Sequence, residues 1–403
     1  GQNNYYYPDI RKQRNDSHMA RIDHAFGPSN RLFMRLNRHS FYDPKNRLGI
    51  PATLNIFTQT KRGAALDDVI VLGPTVILNL RYGVTNGEYL ERRATRGTDL
   101  AALGFSPALT GLVDSKLATV PRIKAGSYAT LSAGSDGDGG NSAVTHSWFA
   151  DVTKLRGSHS FRFGADVRLL RTFANRFSGA ISPDLSFSST YTRGPLDNAS
   201  TAPIGQELAA LLLGVPEGNM TSAGSYAAQD KYFGVYFQDD FKVSPRLTLN
   251  LGLRYEKDWP VTERFDRLVA GYDFASPSPV EAQAKLNYTK NPIAELPATA
   301  FSARGGLTWI NQNGWGRSPY NPNRGQFLPR IGLAYQINPN TVLRSGYGIY
   351  FDSIGVDRFI PIQIGFSQAT PMQASRDSGV TYISTLANPF PTGLLVPLGA
   401  RGG

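Results

Sequence analysis

Few side chains in this chain have the type and spacing that catalysis or metal binding requires. Asp239 and Asp240 resemble a carboxylate pair, but neighbouring residues of a strand point to opposite faces, which separates their acid groups. His18 and His24 could share one strand face, yet a metal site needs at least a third ligand. No phosphate-binding loop, HExxH helix or GxSxG turn occurs. We therefore expect no catalytic residue, no metal and no cofactor.

One further segment has a faint ligand-binding pattern. Residues Gly134–Asn141 carry Asp136, Asp138 and Asn141, as a calcium loop would. The segment lacks the terminal glutamate that such loops use to close the site. We expect a flexible loop tip here.

Composition narrows the class of protein. Of 403 residues, 41% are hydrophobic and only 18% are charged, so a disordered chain is excluded. The absence of cysteine excludes disulfides, thiol nucleophiles and zinc fingers. The net charge is +11, but the arginines are scattered rather than gathered in a stripe, so we expect no nucleic-acid partner. No apolar run reaches the ~18 residues of a membrane-spanning helix.

The informative feature is alternation with a period of two residues, which indicates β-strands with two different faces. After the turn Val243-Ser244-Pro245, Leu247, Leu249, Leu251, Leu253 and Tyr255 would share one face. Asn250, Arg254 and other polar residues would share the opposite face.

The same pattern recurs in pairs separated by tight turns. It predicts about ten strands in hairpins near residues 18–38, 64–86, 144–172, 230–258 and 327–351. Each strand is long enough to cross a bilayer with the ~9–11 residues required. The long connections are residues 86–143, 173–229 and 257–326. Short turns at one end and long loops at the other are typical of outer-membrane barrels.

Alternation alone would also suit a soluble sandwich. The apolar rows are bulky and nearly unbroken, several end in aromatics such as Tyr255 and Tyr335, and the opposite rows hold arginine and asparagine rather than lysine and glutamate. These details favour a lipid-facing exterior around a wet lumen. The predicted fold class is all-β: a partial antiparallel up-and-down transmembrane β-barrel with long extracellular loops.

Particular segments resemble a known family. The run YFGVYFQDDFKVSPRLTLNLGLRYE (Tyr232–Glu256) is similar to the barrel of TonB-dependent outer-membrane receptors of the Oar-like group. ARIDHAFGPSNRLFMRLNR, HSFRFGADVR, FLPRIGLAYQINPNTVLRSGYGIYFD and IGQELAALLLGVP resemble it too. The resemblance implies a cell outer membrane location, a barrel of about twenty-two strands, a plug domain inside it and energy from a TonB complex.

The chain also departs from that family. We find no plug region and no TonB-contact segment, and the chain ends at Leu398–Gly403 without a terminal aromatic strand. We therefore expect residues 1–403 to be an internal fragment of such a barrel, with the plug and TonB complex engaged through a missing amino-terminal region.

The candidate functional residues follow from this arrangement. Inward-facing polar side chains would hold plug carboxylates, order lumen water or guide anionic substrates, or would serve only structure by pairing across strands. They are Arg81, Arg162, Asp166, Arg168, Asn250, Arg254, Arg330 and Arg344. Loop aromatics could grip a ligand outside the barrel or simply pack; they are Tyr5, Tyr6, Tyr7, Trp309 and Trp315.

The leading hypothesis is TonB-energised uptake of a bulky nutrient through the outer membrane, with membrane lipid around the barrel and the ligand unidentified. The alternative is a soluble or surface-attached β-rich binding module, glycan-binding or adhesive. An enzyme would need a convergent acid–base group that we do not find.

Overall fold

The computed structural model describes residues 4–132, 139–176, 182–193, 205–222, 224–322, 324–352, 361–377 and 379–401. Strands dominate the described chain, and three short α-helices lie in the connections. The helices are α1 (Pro107–Thr110), α2 (Gln206–Leu212) and α3 (Glu281–Tyr288). The strands in chain order are β1 (Arg14–Gly27), β2 (Asn30–Asn46), β3 (Leu54–Gly73), β4 (Val76–Arg93), β5 (Arg122–Ala125), β6 (Gly139–Arg156), β7 (His159–Arg176), β8 (Asp184–Phe187), β9 (Glu217–Ser222), β10 (Tyr226–Ser244), β11 (Leu247–Glu263), β12 (Val269–Pro277), β13 (Arg304–Trp309), β14 (Gln326–Asn338), β15 (Thr341–Gly348) and β16 (Gln368–Pro371).

Ten of these strands form one antiparallel sheet in the order β1-β2-β3-β4-β6-β7-β10-β11-β14-β15. Each strand therefore pairs with the next long strand along the chain, which is the up-and-down topology of a barrel wall. The sheet is open in the described structure, with β1 and β15 at its edges. The predicted fold class, a partial barrel of about ten strands, is confirmed.

The five hairpins turn tightly at one end of the sheet. The turn between β6 and β7, for example, has only Gly157 and Ser158 between the paired residues Arg156 and His159. Gly157 has φ of 59°, a conformation that two-residue hairpin turns need and that glycine adopts without strain.

The strands are longer than the alternation indicates. β2 continues to Asn46 and β3 begins at Leu54, so only residues 47–53 join them, including a 3₁₀ turn at Pro51–Thr53. The far halves of these strands carry serine, threonine, asparagine and lysine. Polar residues such as Ser40 and Thr60 interrupt the apolar row there, so the period-two pattern fades before the strand ends.

Alternation gives the sheet two chemically different faces. We call the face that bears Leu251 and Leu253 the apolar face, and these two side chains are 42% and 48% exposed. Large exposed apolar side chains lie on this face in every one of the ten strands; they are Ile22, Met34, Leu36, Leu66, Leu80, Trp148, Phe163, Val167, Phe237, Leu251, Leu253, Phe327, Ile331, Tyr335, Leu343 and Tyr347. An exposed apolar surface that spans a whole sheet exceeds what soluble proteins tolerate and marks contact with lipid.

Within the described residues no helix combines the length and hydrophobicity needed to cross a membrane.

The long connections, expected as loops with one possible short helix at Leu208–Leu213, contain ordered structure that includes α2 (Gln206–Leu212). They supply a four-stranded sheet in the order β16-β9-β8-β5 and the pair β12-β13. A single hydrophobic cluster joins Leu109 and Ala125 of the first connection, Leu185, Phe187, Ala210 and Met220 of the second, and Met372 and Phe390 after β15. These segments lie far apart in sequence and none has a clear period, so the sequence does not reveal that they share a core.

Candidate lumenal site

All eight residues predicted to face inward lie on one face of the sheet, opposite the apolar face. We call it the polar face. The pairing register establishes this, because residues directly opposite each other on neighbouring strands share a face. Asp166, for instance, is opposite Phe149, which is opposite Arg81. The same ladder continues to Arg254 and Asn250 on β11 and to Arg330 and Arg344 beyond it.

The centre of the polar face is an ionic network on β7, β10 and β11. Asp166, only 7% exposed, accepts a 2.5 Å bond from Arg168 and lies 3.6 Å from the guanidinium of Arg254. Arg254 also donates to Glu256 at 2.5 Å and to the Tyr232 hydroxyl at 2.6 Å. The Tyr232 hydroxyl in turn donates to Glu256 at 2.7 Å. Each buried charge therefore has an opposite charge and hydrogen bonds, which is what burial of an ion requires.

A second group extends this network to β6. The Tyr236 hydroxyl donates to Asp151 at 2.5 Å, and Arg162 lies 4.0 Å from the same carboxylate. The guanidinium of Arg254 lies 5.7 Å from the centre of the Tyr236 ring, within range of a cation–π contact. We call these eight residues the polar-face network: Asp151, Arg162, Asp166, Arg168, Tyr232, Tyr236, Arg254 and Glu256.

Two arginines of the network have side chains that are exposed on the polar face. The side chains of Arg162 and Arg168 are about half exposed, whereas Arg254 is nearly enclosed. Because a guanidinium has five N–H donors, a half-exposed arginine bonded to one carboxylate keeps donors for another partner. The network can therefore bind a carboxylate or phosphate group that approaches the polar face.

The remaining predicted residues lie outside this network. Arg81 forms an ion pair with buried Asp67, and Asn250 donates to Asp240 at 2.6 Å. The guanidinium of Arg330 lies over the Tyr350 ring at 5.0 Å. Arg344 has no ion pair within the described chain.

A groove of about 480 Å³ runs along the polar face of β10, β11, β14 and β15. Gln238, Asn250, Arg330 and Tyr350 line it together with four glycines. The glycines are Gly252, Gly332, Gly346 and Gly348. Since glycine has no side chain to fill the space, this part of the polar face stays open for a chain or ligand.

The loop aromatics occupy different surroundings. Tyr5 and Tyr6 are exposed, and the Tyr5 hydroxyl donates to the carbonyl of Leu48. Trp315 is partly exposed, whereas Trp309 is only 4% exposed and its indole donates to the carbonyl of Ile364 at 3.1 Å. Tyr7 packs beside Gly49. Trp309 therefore packs within the connections and does not face outward.

One loop aromatic that the sequence reading did not select covers the far end of the polar face. Tyr320 packs against Ala228 and Val261, and its hydroxyl accepts the backbone N–H of Val261 at 3.2 Å. Burial raises the pKa of Tyr320, so the neutral phenol persists there.

The carboxylate pair Asp239 and Asp240 divides between the two faces, as expected. Asp240 faces Asn250 on the polar face, whereas Asp239 lies on the apolar face opposite Phe161 and Leu251. His159 bonds to Asp239 at 2.7 Å and stacks on Phe241, with ring centres 4.1 Å apart. In the possible calcium loop, Asp136 and Asp138 lie outside the described residues, and Asn141 lies within β6.

Asp151, Tyr232, Tyr236 and Glu256 belong to the network but were not singled out from the sequence. Their signal was available, since each shares the period-two parity of a predicted inward residue on its own or the neighbouring strand. The sequence could not show that they bond to one another, because that depends on register between strands.

The family of the chain follows from a sequence-model comparison. The family model described as "Outer membrane beta barrel domain" matches residues 1–402. The chain therefore belongs to the outer membrane beta-barrel domain family, and its location is the outer membrane. This agrees with the exposed apolar face and confirms the resemblance on which the localisation rested. No curated protein matches the sequence.

Solved structures of outer-membrane proteins match the chain at low similarity. The alcaligin outer membrane receptor FauA from Bordetella pertussis is 10% identical with a TM-score of 0.40, over 81% of this chain and 34% of that one. The outer membrane transporter YddB from Escherichia coli is 11% identical with a TM-score of 0.43, over 84% and 40%. The chain thus spans less than half the length of these proteins.

Proposed function

We propose that the chain is the wall of a TonB-dependent outer-membrane transporter that takes up a bulky nutrient, and that the polar face lines its lumen. The observation that carries this proposal is the polar-face network, which lies on the opposite side of the same strands from the lipid-exposed apolar face. A sheet with lipid on one side and a fully paired set of arginines and carboxylates on the other requires water or another protein segment in front of the charges.

The open donors of Arg162 and Arg168 give the lumen its proposed role. They would bind carboxylates of a plug domain and release them when the plug is rearranged. The glycine-floored groove beside them would accept a backbone segment of the plug or part of the nutrient. No covalent chemistry is involved, since binding and rearrangement account for transport, and we propose no enzymatic activity.

The alternative of a soluble or surface-attached binding module fits less well. Sixteen large exposed apolar side chains on one face would drive such a module to aggregate. Glycan binding by the connections would not require that face.

Photo-cross-linking in the complete receptor tests whether the polar face meets a plug. Benzoylphenylalanine placed at Gln238, in the groove on the polar face, should cross-link to a plug segment of the same protein. The matched position Phe237, its neighbour on the apolar face, should give no such product. A plug cross-link from both positions, or from neither, would contradict the proposal.

The energy source needs a separate test. In whole cells, deleting TonB or collapsing the proton gradient should lower the rate at which cross-links between Gln238 and the plug form. The abundance of the receptor should stay unchanged. Unchanged cross-linking kinetics in both conditions would argue against TonB energisation while leaving the outer-membrane location intact.

A further inference from the structure

A groove opens on the apolar side of the sheet, at the end opposite the tight turns. It measures about 600 Å³. Its walls combine apolar Val144 and Phe173 with the cationic Arg171 and Arg264. Val144, Arg171 and Gln229 are direct cross-strand neighbours on β6, β7 and β10, so the floor of the groove is a continuous piece of barrel wall.

The position of the groove is at the edge of the lipid-facing surface. Lys231 follows Gln229 on the same face of β10, two residues closer to the tight turns, and Trp259 lies opposite Lys231. The ammonium of Lys257 lies 5.2 Å from the centre of the Trp259 ring. Tryptophan beside lysine is typical of the boundary between hydrocarbon and headgroups. Below this boundary the exposed Val167 and Phe163 continue the apolar face.

The charges in the groove are unbalanced. Within the described residues, Arg171 donates to the neutral amide of Gln229 at 3.0 Å, and neither Arg171 nor Arg264 has a carboxylate partner. Glu263 also lines the groove, but it is fully buried and its carboxylate accepts the backbone N–H groups of Ala227, Phe265 and Arg267. Asp266 pairs with Arg317 at 2.9 Å. Within the described residues neither guanidinium forms a salt bridge, and the two together outnumber the one buried carboxylate of the groove.

We propose that this groove binds the phosphate group of an anionic membrane lipid, with Arg171 and Arg264 holding the phosphate and Phe173 and Val144 contacting the first part of an acyl chain. Guanidinium groups match the geometry of phosphate oxygens, and partial removal from water strengthens such bonds. The exposed Lys231, two residues from Gln229 on the same face of β10, adds to the attraction of the anionic lipid. The inference needs only the outer-membrane location and does not depend on transport.

Native mass spectrometry of the detergent-purified chain tests the site. The probes are dioleoylphosphatidylglycerol and dioleoylphosphatidylcholine, which share acyl chains and differ in net charge. We expect the wild type to retain the anionic lipid preferentially. Replacing both arginines (Arg171→Gln with Arg264→Gln) should weaken its binding by about ten-fold, the loss expected for charge-assisted hydrogen bonds.

The controls separate a built site from general surface charge. Arg156→Gln removes an exposed arginine at the tight-turn end of β6 and should leave lipid binding unchanged. Arg264→Gln alone, outside the sheet, serves if the double variant fails to fold. Equal retention of both lipids by the wild type, an equal loss in Arg156→Gln, or displacement of the lipid by millimolar inorganic phosphate would each overturn the proposal, the last by showing a site for soluble anions.

Discussion

Asp166 is the residue on which the polar-face network depends, because two arginines share its carboxylate. Asp166→Asn removes the negative charge but keeps the shape, which leaves the nearly enclosed Arg254 with Glu256 as its only carboxylate partner among the described residues. We expect a loss of roughly 2–4 kcal/mol in the free energy of unfolding, as for other broken buried ion pairs. Urea unfolding of the chain refolded in lipid vesicles measures it.

The matched control is Arg344→Gln. Arg344 lies on the same face but has no ion pair within the described chain, so its replacement should change stability by less than about 0.5 kcal/mol. Similar losses in the two variants would show that the pairing in the network contributes nothing beyond general charge.

The pair His159 and Asp239 presents a different problem, since it lies on the apolar face. Asp239 is 8% exposed, and among the described residues its second oxygen has no hydrogen-bond partner. His159→Phe would leave that buried carboxylate without the hydrogen bond from the imidazole and should cost about 2 kcal/mol. The double change His159→Phe with Asp239→Leu should recover to within about 1 kcal/mol of the wild type, because replacing both partners of a buried hydrogen bond by apolar groups leaves no polar atom unsatisfied.

A double-mutant cycle of urea unfolding energies checks this. If the double variant is as unstable as the sum of the two single variants, the pair is not coupled and the explanation is wrong.

At the scale of elements, the sequence predicted the ten strands and their faces but not the core of the connections. Leu247 to Tyr255 identify β11 because one side of the strand faces lipid and the other faces polar groups, which imposes a strict period. Phe187 and Met372 also meet in a core, yet Phe187 lies on the short strand β8 and Met372 lies just after β16, far away in sequence. Their contact depends on long-range packing that local periodicity does not encode. Trp309, selected as a loop aromatic, is buried for the same reason.

This core should unfold separately from the barrel wall. Phe187→Ala removes a fully buried ring where three connections meet, and losses of about 3–5 kcal/mol are usual for such cavities. Hydrogen exchange followed by mass spectrometry should show faster exchange in residues 205–222 and 361–377, while β6, β7, β10 and β11 stay protected. Leu212→Ala, a change on α2 at a side chain that is 81% exposed, is the control and should alter neither region. Unchanged exchange in residues 361–377 of the Phe187 variant would mean that this segment does not depend on the shared core.

At the scale of the whole molecule, the two faces of the sheet must meet different solvents. The chain has no cysteine, so each single-cysteine variant reports one position only. Asn250 and Leu251 are adjacent on β11 and point to the polar and apolar faces respectively. In lipid vesicles, a membrane-impermeant maleimide should label Asn250→Cys readily and Leu251→Cys hardly at all, because hydrocarbon excludes both the reagent and the reactive thiolate.

Dissolving the vesicles in sodium dodecyl sulfate, which disperses the lipid and unfolds the chain, should make the two positions react at similar rates. That result would show that access and not intrinsic reactivity separates them. A second pair on a distant strand, Arg162→Cys and Phe163→Cys on β7, should repeat the difference. If Leu251→Cys labels as fast as Asn250→Cys in intact vesicles, the apolar face is not in lipid. That result would contradict the proposal that the polar-face network lines a lumen, even though its ion pairs would be unchanged.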